Sequence, residues 1–106
     1  DLVVANRNGP NQVVLSGRLP EIDRAAELFS RRNIRGKKLP VGAAFHSPLV
    51  ATASARFRPI LSEVDFAPSE VPVFANSSAG EYPDDPDAAR DLLAGQLARP
   101  VEFVQQ

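Results

Sequence analysis

The chain has 106 residues, 43% of them hydrophobic and 24% charged, with a formal net charge of −1. That length allows at most one small domain with a modest core, and the composition is ordinary for a globular chain. The charge balance argues against nucleic acid as a partner, because phosphate binding needs a basic patch.

There is no cysteine, hence no disulfide frame and no thiolate chemistry, and a reducing cytoplasm is the expected compartment. No apolar run approaches the roughly 20 residues of a membrane span, and no signal peptide opens the chain, so no membrane partner is expected. Both ends break off on extended, strand-like sequence, so the chain is expected to be part of something longer.

Residues 2–6 read as a first strand, short and β-branched. Asn8-Gly9-Pro10-Asn11 is a dense turn signal, and residues 12–16 return as a second strand ending at Gly17. A helix follows, opened by Pro20, with Glu21 and Asp23 in its first turn and Arg31-Arg32 at its close, a charge order that suits the helix dipole. Ile22, Ala25, Ala26 and Phe29 form one apolar stripe on it, and Glu27 and Arg31 are a favourable pair on the wet face.

Residues 39–45 read as a third strand, made small by Gly42-Ala43-Ala44, as befits a strand that lines a pocket. The only histidine, His46, stands where this strand gives way to a helix. Ser47 is a good N-cap and Pro48 suits the first helical position. From chemistry alone a lone histidine beside apolar residues is more often structural than catalytic.

Leu49, Val50, Ala53, Phe57, Ile60, Leu61 and Val64 recur at helical spacing, and Pro59 predicts a kink or break among them. Residues 73–76 read as a buried strand, and Ser77-Ser78-Ala79-Gly80 as a loop. Asp85 and Pro86 start a last helix that Arg99-Pro100 stops. The expected order is β-β-α-β-α-β-α, an α+β fold. No metal site is expected: there is one histidine, and Asp84-Asp85-Pro86-Asp87 lacks calcium-loop spacing.

Four segments then fall in one order: Ala5-Asn6-Arg7-Asn8-Gly9-Pro10-Asn11-Gln12-Val13-Val14-Leu15-Ser16-Gly17, Ala44-Phe45-His46-Ser47-Pro48-Leu49, Val73-Phe74-Ala75-Asn76-Ser77-Ser78-Ala79-Gly80, and Gly95-Gln96-Leu97-Ala98-Arg99-Pro100-Val101-Glu102-Phe103. Together they resemble the C-terminal part of a malonyl-CoA:acyl carrier protein transacylase, most closely the acyltransferase domain of type I polyketide synthases, enzymes of antibiotic biosynthesis. The resemblance implies a ferredoxin-like small subdomain over residues 1–66. Residues 67–106 would return into an incomplete α/β-hydrolase-like large subdomain.

It also implies an activity. The family moves malonyl, or a related acyl group, from coenzyme A to the phosphopantetheine thiol of an acyl carrier protein through an acyl-serine intermediate, with a histidine as base. His46 matches that histidine. Gln96 matches a position whose main-chain carbonyl holds the other ring nitrogen, in place of a triad acid. Phe45 matches a substrate-selecting position that is bulky in malonyl-selective members, and Asn8 and Gln12 are candidate pocket contacts.

The expected partners are acyl-CoA, the carrier protein that bears the phosphopantetheine, the remainder of the acyltransferase and neighbouring synthase domains. No bound cofactor is expected. The chain departs from the family at Ala43, where the malonyl signature often has a second histidine. No glycine-flanked serine elbow occurs in it, nor an arginine matching the one that grips the malonyl carboxylate, so this segment alone is expected to be inactive. The alternative is a non-catalytic ferredoxin-like module that docks a carrier protein or a neighbouring synthase domain through Arg31-Arg32 and Lys37-Lys38.

Overall fold

A computed structural model describes residues 2–106. The first two strands pair as expected: β1 (Leu2–Gly9) runs antiparallel to β2 (Gln12–Gly17), with Leu2 opposite Gly17 and Gly9 opposite Gln12. The ladder slips between Val4 and Asn6, which leaves Ala5 without a partner on β2. Its carbonyl instead accepts the Val101 N–H at 2.7 Å, while Arg7 N–H donates to the Val101 carbonyl at 2.8 Å. The chain's C-terminal end is thereby bound in parallel to the outer edge of β1. The Arg7–Glu102 ion pair, 2.6 Å long, lies alongside.

Helix α1 (Leu19–Arg31) has Pro20 in its first turn and Arg31 in its last. Ala25 is buried and Ile22 and Phe29 are half-buried, but Ala26 is exposed, so the inward stripe is narrower than the periodicity suggested. The Glu27–Arg31 pair is 3.9 Å long and both side chains are largely in water, which makes its contribution small. Asp23 reaches Lys38 and so ties the helix to the following loop.

The third strand is not there. Residues 35–41 have no regular structure, and Leu39 and Val41 are exposed. A strand persists only where its backbone groups find a ladder, and residues 39–45 make no bridge to either strand, whereas Val101 does so at the outer edge of β1. Pro40 also lacks the N–H a ladder would need. The sheet of the described residues is thus two-stranded, not the larger sheet of a ferredoxin-like unit.

After a single 3₁₀ turn (Pro48–Val50), α2 (Ala51–Ser62) runs without interruption past Pro59. The expected break is absent: Pro59 is on the solvent face, and Ala55, whose carbonyl loses its helical partner, is exposed as well. Residues 73–76 do not form a buried strand either. Phe74 makes one isolated bridge to Glu81, Val73 and Phe74 are exposed, and only Ala75 is inside.

Helix α3 (Pro86–Gly95) is capped by Asp85, whose carboxylate accepts the Ala88 N–H at 2.8 Å. It packs on α2 and passes directly into a 3₁₀ turn, Gln96–Ala98. A third 3₁₀ turn spans Phe103–Gln105.

Two buried side chains of different helices, Leu61 and Ala89, lie near a polar clamp. Arg90 of α3 donates to the carbonyls of Leu61 and Val64 at the end of α2, at 2.9 and 2.7 Å, and its guanidinium lies 5.1 Å from the Phe66 ring centre. Arg58 of α2 pairs with Asp87 and Asp91 of α3. These contacts join residues on both sides of position 66.

The core is thin. Among the described residues the buried apolar ones are Ala5, Ala25, Leu61, Ala75, Ala89 and Ala94, and only Leu61 is large. The radius of gyration is 16.1 Å, against about 13 Å for a compact chain of this length. Exposed Leu39, Val41, Phe45, Leu49, Val71 and Phe103 therefore present apolar surface that the chain does not cover by itself.

Candidate active site

Three separate elements meet at residue 46. The segment before α2 carries it, β2 supports it from one side, and the turn that follows α3 supports it from the other. His46 has φ of +56°, in the left-handed region. Side chains other than glycine's clash there, and holding one costs about 1–3 kcal/mol, so such a residue persists only when its surroundings over-determine it.

Those surroundings can be named. The peptide group between Phe45 and His46 is held at both ends: Ser16 Oγ donates to the Phe45 carbonyl at 2.6 Å, and the His46 N–H donates to the Leu97 carbonyl at 3.0 Å. Ser47, 2% exposed, follows at once. Its hydroxyl donates to the Ala44 carbonyl at 2.6 Å and accepts the Leu49 N–H at 3.3 Å, which closes the turn and caps the helix. The cap expected from the Ser-Pro pair is present.

The ring is fixed as well. His46 Nδ1 lies 3.0 Å from the main-chain carbonyl of Gln96. A carbonyl only accepts, so this hydrogen bond requires the proton on Nδ1. The neutral ring then has its lone pair on Nε2, for which no partner exists among the described residues. The result is a half-buried imidazole in one tautomer, with its proton-accepting nitrogen free.

Gln96 presents its carbonyl here because α3 tightens into a 3₁₀ turn at that point. The Gln96 carbonyl, which also accepts the Arg99 N–H at 3.3 Å, meets the His46 ring with its second lone pair, and the Leu97 carbonyl accepts the His46 backbone N–H. Ser54 Oγ of α2 donates to Ala94 O one turn earlier, fixing where α3 ends.

His46 and Gln96 are thus brought together across fifty positions of sequence. Phe45, 51% exposed, stands next to the histidine with its ring uncovered. Asn8 and Gln12 are placed elsewhere: both are exposed at the hairpin tip, about 13 Å along the strand from Ser16, and neither side chain makes a hydrogen bond among the described residues. Ser16 stands in no glycine-flanked elbow and is not among the residues the sequence points to. Nothing in its local pattern announces a bond to residue 45.

No described serine hydroxyl bonds His46, and no three His, Asp or Glu side chains gather among the described residues. Among the described residues no helix is long and apolar enough to cross a membrane.

No protein-family model matches the chain. Individual proteins do. The polyketide biosynthesis malonyl CoA-acyl carrier protein transacylase PksC of Bacillus subtilis is 38% identical over 105 residues, 97% of this chain and 36% of that protein. The crystal structure of the acyl-carrier-protein S-malonyltransferase of Burkholderia pseudomallei superposes with a TM-score of 0.92 at 35% identity, over 98% of this chain and 34% of that one. Over its length the chain belongs to the malonyl-CoA:acyl carrier protein transacylase family.

It spans about a third of the transacylases it matches. A further relative of known structure, a malonyl-transacylase in complex with a type II polyketide synthase acyl carrier protein, has a TM-score of 0.90 at 25% identity, covering 99% of this chain and 34% of its own. The α+β arrangement seen here is thus that of transacylase structures.

Proposed function

We propose that this segment supplies the base side of an acyltransferase active site, with His46 as general base for transfer of malonyl from coenzyme A to an acyl carrier protein. The observation that carries the reading is the ring's geometry: a strained backbone, Nδ1 tied to Gln96 O at 3.0 Å, and Nε2 unoccupied. The relatives' activity supports the substrate class, malonyl-CoA and a carrier protein.

The nucleophilic serine lies outside this chain. In the first half-reaction Nε2 takes the serine hydroxyl proton as its oxygen attacks the thioester carbonyl. The C–S bond breaks, the acyl–O bond forms, and the imidazolium returns the proton to the departing coenzyme A sulfur. In the second, Nε2 takes the proton of the phosphopantetheine thiol, sulfur attacks the acyl-serine, and the serine oxygen leaves with that proton.

The Gln96 carbonyl holds the tautomer and orientation throughout, the task a carboxylate performs in a serine-protease triad. Because the main chain does this, the Gln96 side chain is free to vary. Phe45 borders the acyl pocket and crowds a branch at the α-carbon, while Asn8 and Gln12, at the hairpin tip, act at most at the pocket's rim. Residues 1–66 belong to the smaller part of the enzyme and 67–106 to the larger. The uncovered apolar surface on both is where the remaining body and the neighbouring synthase domains pack, and the segment alone does not turn over.

The test is malonyl loading and transfer by the full-length parent and its His46→Ala variant. Loss of a positioned base lowers both half-reactions by about 10²–10⁴-fold. Unchanged acyl-serine formation and transfer with intact carrier binding would instead favour a docking module without chemistry, for which the basic run Arg31, Arg32, Lys37 and Lys38 is the supporting feature.

A further inference from the structure

We propose that Ser16 is a positioning residue for the transfer reaction, acting through the Phe45 carbonyl to hold His46 in its left-handed conformation. The inference rests on the reading of His46 as base and goes beyond it, because Ser16 touches neither the ring nor any reacting atom.

The reasoning begins with the cost of the backbone at residue 46. With φ of +56° the His46 backbone lies above its relaxed alternatives, and something must oppose the rotation that would relieve it. Rotation about φ of His46 swings the preceding peptide group relative to the ring. That group is anchored twice, its N–H on Leu97 O at 3.0 Å and its C=O on Ser16 Oγ at 2.6 Å. The N–H anchor alone leaves the peptide plane free to rock about the N–H···O axis. The second bond removes that freedom.

The two anchors come from different bodies of the fold. Leu97 follows α3, and Ser16 lies on β2 opposite Val3, in a hairpin fastened to the C-terminal segment through Val101. The Phe45–His46 peptide is therefore a bridge between the hairpin and the end of α3, and the ring's bond to Gln96 O depends on the bridge being level.

Ser16 is half-buried, so water reaches the site to replace a lost hydroxyl in part. The site then fails through misplacement of the base, with the fold retained. A base displaced by a fraction of an ångström loses rate without losing ground-state affinity.

The experiment uses the full-length enzyme with Ser16→Ala, Ser16→Cys and Ser16→Thr. Transfer kinetics are normalised to the acyl-enzyme burst, and the ring ¹⁵N shifts of His46 are assigned by comparison with His46→Gln. The expected result for Ser16→Ala is a kcat about tenfold lower, with KM for malonyl-CoA within about twofold. The His46 ring should change from a single Nδ1–H tautomer to a mixture. Cysteine, a weaker donor of similar size, should fall between, and threonine, which restores the hydroxyl, should recover both rate and tautomer.

If Ser16→Ala keeps wild-type kcat, or loses rate with the tautomer unchanged, the positioning role is overturned. If Ser16→Ala does not fold, the cysteine and threonine variants decide on the same two readouts. Loss of transfer in His46→Ala beside a silent Ser16→Ala would remove this inference and leave the base in place. Wild-type transfer by His46→Ala would remove the reading beneath it.

Discussion

Arg90→Ala probes whether the end of α3, and with it the Gln96 carbonyl, is held by the clamp on α2. Arg90 is 14% exposed in its side chain and donates to two main-chain carbonyls, Leu61 at 2.9 Å and Val64 at 2.7 Å. Hydrogen bonds from a charged donor contribute about 1.5–3 kcal/mol each. Val64 is exposed, so water replaces part of its bond, whereas Leu61 is buried. The contact with Phe66 adds about 0.5–1 kcal/mol. The ion pair with Asp87, whose carboxylate is 77% exposed, adds little after screening.

The sum is about 3 kcal/mol, or roughly two decades in a local opening equilibrium. Native-state hydrogen exchange of peptides covering 86–98 in the full-length enzyme is the assay. Protection there should fall about a hundredfold in Arg90→Ala. Arg90→Lys should lie between, since an ammonium has no planar fork to reach both carbonyls. An exchange rate that rises less than threefold in the alanine variant, or a lysine variant equal to wild type, would refute the clamp.

Phe45→Ser should relax selection against a branched acyl group, raising the kcat/KM ratio of methylmalonyl-CoA to malonyl-CoA by about 10–200-fold in competition assays; an unchanged ratio would leave Phe45 a packing residue. Gly95→Ala should stabilise the enzyme by about 0.5–1 kcal/mol in denaturant midpoints, because Gly95 has a helical φ of −66° and the nearest atoms to an added Cβ belong to the movable Arg99 guanidinium, from 3.3 Å. A lower midpoint would mean that Arg99 cannot give way.

What the sequence determined is the set of local decisions. The hairpin follows from Asn-Gly-Pro-Asn between two β-branched runs, α3 from Asp85-Pro86, and the turn after His46 from Ser47-Pro48, because caps and turns are settled within four or five residues. The family, and with it the pairing of His46 with Gln96, was legible only through the ordered resemblance of four segments. No periodicity connects positions fifty apart.

Tertiary structure decided the rest. Residues 39–45 are as apolar as a strand, yet they form no ladder with either strand of the sheet, and Pro40 has no N–H to offer one. Residues 73–76 are likewise reduced to a single bridge. The left-handed backbone at His46 and the hydroxyl of Ser16 beneath it also lie beyond pattern reading. Strain at one residue is set by which carbonyls and donors distant parts of the chain bring to it, and that is a property of the assembled fold.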